Sequence, residues 1–187
     1  MKKAYYLLTI MLVIGFVVGG CRPNKEVTIN KDSPQIIRVA AWGTVEEKQQ
    51  LSSLLNVYMA ENPDFLVSLE MSPRLKDKED DTDSRIDGYL PGYEQRILIL
   101  IEAKDAPDVL LVPEERFGYY ANRNAFLALN QFGFDEEKNH PSLSVNGVLY
   151  GIPHRKPGIA WAVYAGTKHP QEAVKLMVYL AKNAGLN

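Results

Sequence analysis

The stretch from residue 93 to residue 117 constrains the fold more than any other part of this chain. Its apolar residues first recur at helical spacing and then form the run VLLV at 109–112, which is typical of a strand buried on both faces of a parallel sheet. Pro107 separates the two segments, because proline disfavours helical geometry in the residue before it. The stretch therefore predicts a helix, a turn and a central strand. Just past the carboxyl end of that strand, where open α/β sheets bind ligands, stand Glu114, Glu115 and Arg116.

The preceding segment predicts two further strands joined by a helix. Residues 36–42 and 65–70 have the composition of strands, and the residues between them carry an apolar stripe at helical spacing. Thr44 precedes that helix and Glu47 follows three residues later, which is the signature of a capping box. A strand, a helix and a second strand in this order favour parallel pairing. We therefore expect an α/β fold with an open, mostly parallel sheet flanked by helices.

The carboxyl-terminal part predicts shorter elements. Asn146 and Gly147 separate two short apolar runs, which is a strong signal for a two-residue hairpin. Residues 159–164 predict one more strand, and a final helix is expected to begin near Pro170 and to end near Gly185. The charged segment 74–88 lacks the glycine and the twelfth-position glutamate of a calcium-binding loop. We predict a solvated loop there.

The amino terminus predicts an export signal. Lys2 and Lys3 precede an apolar stretch that is short for a membrane span and fits a signal peptide. The stretch ends in Val18-Gly19-Gly20-Cys21, which resembles the bacterial lipobox, whose cysteine is lipidated and becomes the new amino terminus. We predict a signal peptide at 1–20, a lipid anchor on Cys21 and a flexible tether over 21–34, with the rest on the extracytoplasmic side of the cell membrane. The alternative is an uncleaved anchor followed by a buried free cysteine.

Composition argues against several classes of protein. A net charge of −2 gives no basic surface for nucleic acid. One cysteine cannot form an internal disulfide, and three scattered histidines do not predict a metal centre. The chain contains neither a G-x-S-x-G sequence nor a glycine-rich phosphate loop, so no hydrolase elbow and no nucleotide site is predicted. We therefore expect a protein that is not an enzyme and uses no cofactor.

Four segments in order carry a resemblance to a known family: AENPDFLVSLE, YEQRILILIEAKDAPDVLLV, VNGVLYGIP and AGTKHPQEAVKLMVYLA. With the lipobox, they make the chain similar to the bacterial extracellular solute-binding proteins of family 1, the lipid-anchored sugar receptors of ABC importers. Members of that family have two α/β lobes that clamp the ligand between them. The resemblance implies that residues 35–187 form the first lobe of a type II periplasmic-binding-protein fold, with most of the second lobe excised near 154–158.

The resemblance also implies a ligand site, formed by loops at the carboxyl ends of the strands. Trp42 or Trp161 would stack on a sugar ring, and Glu114 or Arg116 would hydrogen-bond sugar hydroxyls. For Trp42 and Trp161 the alternative is a position in the core, and for Glu114 and Glu115 it is stabilisation of the helix that follows. The predicted ligand-binding residues are Trp42, Gly43, Thr44, Glu114, Glu115, Arg116 and Trp161.

The function implied is that of a solute-binding lipoprotein of a carbohydrate ABC transporter, truncated so that ligand binding is weak or lost. Its expected partners are a sugar or oligosaccharide, the permease subunits of the transporter, and the membrane through Cys21. The alternative is a remnant that binds no solute, or a surface lipoprotein reused for interaction and without a role in transport. An exposed apolar patch where the second lobe once packed would favour the interaction protein.

Overall fold

The computed structural model describes residues 34–73, 91–134 and 140–184. The predicted signal peptide, Cys21, nearly all of the tether, the charged segment 74–88 and Gly185 lie outside these ranges. No helix in the described ranges is long and apolar enough to cross a membrane. The strands are β1 (Gln35–Gly43), β2 (Phe65–Pro73), β3 (Val109–Pro113), β4 (Ser144–Val145), β5 (Val148–Leu149), β6 (Gly151–Pro153) and β7 (Ile159–Val163), and the helices are α1 (Val45–Glu61), α2 (Pro91–Glu102), α3 (Phe117–Ala121) and α4 (Pro170–Asn183).

Five strands form one open sheet in the order β2-β1-β3-β7-β6. β1 pairs in parallel with β2 and β3, whereas β7 is antiparallel to both β3 and β6. Four strands therefore run in one direction, which confirms the expected open, mostly parallel sheet. β7 runs the other way because only residues 154–158 join it to β6, and a parallel crossover needs a longer connection.

The local signals in the sequence set the ends of the elements. The capping box opens α1 as predicted: the Thr44 N–H donates to Glu47 Oε2 at 2.7 Å, and the Glu47 N–H donates to Thr44 Oγ1 at 3.2 Å. The predicted hairpin is a separate pair of β4 and β5, with Asn146 and Gly147 at φ of 52° and 81°. After β3, a 3-10 turn at Glu114–Arg116 precedes α3.

Alternation along the paired strands assigns each side chain to one face of the sheet. The register pairs Ala40 with Leu110, and it pairs Leu111 with Trp161. Trp42 shares the face of Ala40 because it lies two residues further along β1, whereas Leu110 and Leu111 point to opposite faces. The two tryptophans therefore lie on opposite faces of the sheet.

Each face is covered by two helices. On the Trp42 face, Tyr93 of α2 packs against Trp42 with 5.0 Å between ring centroids. α3 joins α2 on this face, where Phe117 packs over Gly151. On the Trp161 face, α1 and α4 meet through Tyr58 and Tyr179, whose ring centroids are 5.0 Å apart. The buried core thus extends above and below β3 and β7, and every residue of those two strands is buried.

Charged groups hold the strands together near the amino ends of β1 and β3. Arg38 on β1 pairs with Glu70 of β2 (Nη2–Oε1, 3.0 Å) and with Asp105 (Nη1–Oδ1, 2.9 Å). Its backbone N–H donates to Asp108 Oδ2 at 2.8 Å, and the Thr167 hydroxyl donates to the same carboxylate. These side chains pair with one another at the amino end of the sheet, whereas open α/β sheets bind ligands at the opposite, carboxyl end.

Candidate functional site

The carboxyl ends of β1, β3 and β6 and the start of β7 lie along one edge of the sheet, here called the carboxyl edge. The register aligns Pro113 with Ile159 and Pro153 with Ala160, so the connection 154–158 belongs to this edge. α1 leaves β1 on one face of the sheet and α2 enters β3 from the other. Open α/β sheets bind ligands where helices leave neighbouring strands on opposite faces, so the candidate site is the space between the carboxyl ends of β1 and β3, here called the crevice.

The β1 side of the crevice is tightly packed. A Cβ atom on Gly43 would lie 2.4 Å from Met71 Cε and 2.5 Å from Glu47 Oε2, so this position admits only glycine without rearrangement. Thr44 uses both its hydroxyl and its backbone N–H in the capping box with Glu47. The hydroxyl and the N–H of Thr44 therefore have partners within the chain.

The β3 side of the crevice carries the predicted charged residues. Arg116 forms an ion pair with Glu94 of α2: Nη2 donates a hydrogen bond to Oε2 at 3.0 Å, and Nε lies 3.0 Å from Oε1. Glu114 Oε2 accepts a hydrogen bond of 2.9 Å from Ser142 Oγ. Glu115 is exposed. Two of these three side chains are thus held by residues that the sequence did not identify as partners.

The two predicted tryptophans do not reach the crevice as a pair. Trp42 is 7% exposed and packs against Tyr93, and Trp161 is 1% exposed. The Trp161 indole N–H has no hydrogen-bond acceptor among the described residues. Because the two rings lie on opposite faces of the sheet, they cannot form one stacking platform for a sugar.

The structure adds residues to the carboxyl edge that sequence reasoning did not single out. Lys156 Nζ lies 3.6 Å from Glu47 Oε1, and the Lys156 N–H donates to His154 Nδ1 at 2.9 Å. The centroids of the His154 and Trp161 rings lie 6.0 Å apart. The capping box alone predicts that Glu47 lies at this edge. The short connection between β6 and β7 could have predicted that residues 154–158 lie at the same edge.

The protonation state of His154 is set by its surroundings. Burial lowers the pKa of its imidazole below the usual range, the positive charge of Lys156 lowers it further, and the Glu47 carboxylate partly offsets both. The neutral ring accepts the Lys156 N–H through Nδ1. Among the described residues, no group of three or more His, Cys, Asp or Glu side chains is arranged to hold a metal ion.

The lowered pKa of His154 predicts a pH dependence of stability. The unfolded chain binds a proton at His154 more readily than the folded chain does, so the free energy of unfolding falls as the pH drops from about 7 through the usual histidine range towards the lowered pKa. Urea unfolding at about pH 7.5 and about pH 5.5 measures this fall. His154→Gln lacks this component, so its loss of stability over the same interval should be smaller. Equal losses in the two proteins would contradict the assignment.

One cleft of about 270 Å³ lies between β6 and the carboxyl-terminal turn of α4. Ile152, Pro153, Val178 and Lys182 are among its lining residues. None of the predicted ligand-binding residues lines it. The cleft is therefore separate from the crevice between β1 and β3.

Comparison with known proteins identifies the fold. No protein-family model and no curated protein matches the sequence. Among solved structures, an extracellular solute-binding protein of family 1 from Alicyclobacillus acidocaldarius matches with a TM-score of 0.51 and 17% identity over 65% of this chain and 28% of that chain. A periplasmic solute-binding protein from Pectobacterium atrosepticum matches with a TM-score of 0.50 and 20% identity over 64% of this chain and 27% of that chain. The protein therefore has the fold of extracellular solute-binding protein family 1, over little more than a quarter of the length of these neighbours and in keeping with one lobe.

Proposed function

We propose that this chain is a lipid-anchored, extracytoplasmic solute-binding protein of a carbohydrate ABC transporter, and that it binds its solute weakly or not at all. The fold and the lipobox-like segment that ends at Cys21 support the class of protein. The proposed weak binding is supported by one observation. At the carboxyl edge, the side chains of Thr44, Glu114 and Arg116 are already paired within the chain.

Those internal pairs oppose solute binding. A sugar hydroxyl that bonds to Arg116 or Glu114 must replace a partner that is already in place, so the net gain is small. Opening the pair of Arg116 with Glu94 also separates two opposite charges, which adds to that cost. Burial of both tryptophans removes the stacking surface as well.

The short connection between β6 and β7 fits the proposed loss of a second lobe. The His154 N–H donates to the Ile159 carbonyl at 3.0 Å, so the chain ends that a second lobe would separate are neighbours in one hairpin. A receptor that binds at about 1 μM gains about 8.2 kcal/mol. If one lobe supplies about half of this free energy, the remaining affinity is in the millimolar range.

The alternative of an interaction protein gains little support at this edge. Two large apolar side chains near it, Val45 and Tyr119, are exposed. They lie on α1 and α3, which cover opposite faces of the sheet, so they do not form one patch. We therefore favour the solute-binding class over a partner-docking surface at the carboxyl edge.

Titration calorimetry on the purified full-length protein in detergent tests the proposal. A panel of neutral and acidic oligosaccharides is expected to give millimolar dissociation constants or no heat of binding. The matched variant Arg116→Gln should behave like the wild type, because Arg116 is already committed to Glu94. A micromolar dissociation constant for any oligosaccharide, lost in Arg116→Gln, would refute the proposed weak binding.

A further inference from the structure

Residues 154–158 do more than join β6 to β7, because Lys156 extends from this connection to the far side of the crevice. Its ammonium group lies 3.6 Å from the Glu47 carboxylate, at the amino-terminal end of α1. In the sheet, β3 stands between β1 and the β6–β7 pair. The Lys156 side chain therefore joins the connection after β6 to the first turn of α1, the helix that follows β1.

Hydrogen bonds hold the connection 154–158 on both sides of the Lys156 side chain. The Glu114 N–H, at the end of β3, donates to the Gly158 carbonyl at 2.9 Å. The Lys156 N–H donates to His154 Nδ1 at 2.9 Å, which sets the direction in which the side chain leaves the backbone. Glu47 is held in turn by the Thr44 N–H. Both members of the ion pair are thus positioned by neighbouring groups.

We propose that Lys156 is a built-in occupant of the crevice: its ammonium group pairs with Glu47 and keeps an external ligand group away from that carboxylate. This inference rests on the proposed function, since it gives Lys156 a role at the same carboxyl edge. Glu47 is the only carboxylate within ion-pair distance of Lys156 among the described residues. Its Oε2 would lie 2.5 Å from a Cβ atom placed on Gly43, so the carboxylate packs against the end of β1.

Lys156 pairs with Glu47 for only part of the time, because the ion pair is not buried. The Lys156 and Glu47 side chains are 44% and 41% exposed. Ion pairs of this exposure shift an equilibrium by roughly two- to five-fold. Lys156 should therefore slow access to Glu47 by a factor of that size, and high salt should weaken the effect.

Carbodiimide coupling of the full-length protein tests the proposal, since the reagent joins a carboxylate to an amine that touches it. In the wild type, mass spectrometry should find an amide between Glu47 and Lys156. With glycinamide present as an external amine, Lys156→Gln should carry roughly two to five times more glycinamide on Glu47 than the wild type does. The exposed Glu115 serves as the internal reference, with equal labelling in both proteins.

A second variant separates the ion pair from the fold. Glu47→Gln keeps an oxygen for the capping box and removes the charge, so the helix should remain while the amide to Lys156 disappears. Absence of the Glu47–Lys156 amide in the wild type overturns the inference. Equal glycinamide labelling of Glu47 in the wild type and in Lys156→Gln also overturns it. The proposed function fails on a different measurement, a micromolar dissociation constant in calorimetry.

Discussion

Replacing Phe117 by alanine is expected to lower the free energy of unfolding by about 3–5 kcal/mol. Phe117 is fully buried at the start of α3, and its ring centroid lies 5.2 Å from that of Phe126. The same ring occupies the space above Gly151, so its removal leaves a cavity between α3 and β6. Urea unfolding followed by tryptophan fluorescence measures the loss, because Trp161 lies in the neighbouring strand β7.

Tyr119 provides the matched control on the same helix. Its side chain is 39% exposed, and the Arg123 guanidinium carbon lies 3.7 Å from its ring centroid. Tyr119→Ala should therefore lower the free energy of unfolding by less than about 1 kcal/mol. A loss below about 1 kcal/mol for Phe117→Ala would show that α3 does not close the core over β6.

Local signals in the sequence were enough to predict most elements of the fold. The capping box of Thr44 and Glu47 depends on residues three apart, and the hairpin at Asn146 and Gly147 depends on two adjacent residues. The buried run of β3 is recognisable without knowing its neighbours, because a strand covered on both faces is apolar throughout. Each of these predictions needed only a short window of sequence, and the structure confirms them.

The arrangement of the candidate site was harder to predict, because it depends on pairings between distant residues. The register of Leu111 with Trp161 decides which face of the sheet carries the second tryptophan, and no short motif specifies it. The same holds for Arg116 and Glu94, which are 22 residues apart. The predicted charged residues do lie at the carboxyl edge, but their bonding partners come from α2 and from the segment before β4. Whether any of them contacts a ligand stays a prediction.

If the chain is a single lobe, as proposed, its carboxyl edge must be stable without a second lobe packed against it. An edge built for a ligand and a second lobe would leave donors and acceptors unpaired when both are absent, and buried unpaired groups are costly. Here Glu114 is bonded to Ser142, Arg116 to Glu94, and Glu47 to Thr44 and Lys156. These side chains have partners in their own chain, which supports the proposed weak binding of a solute.

Replacing Gly151 by alanine is expected to lower the free energy of unfolding by about 1–3 kcal/mol, as overpacking of a filled core does. The added Cβ would lie 2.2 Å from Phe117 Cε1 and 2.9 Å from the Trp161 carbonyl oxygen. Neither neighbour moves easily, because Phe117 is fully buried and the carbonyl belongs to the interior strand β7. Thermal or urea unfolding of the purified variant measures the loss.

Gly118→Ala is the control, since a Cβ at Gly118 meets nothing within 4 Å and alanine favours the helix by up to about 1 kcal/mol. The same mutation of Gly151 in a Phe117→Ala background tests the cause directly. With the ring removed, the new methyl group enters the cavity, so the second mutation should cost less than it does in the wild type. An equal cost in both backgrounds would assign the strain to the Trp161 carbonyl. Glycine would then be required at position 151 by the neighbouring backbone of β7, and not by the contact with α3.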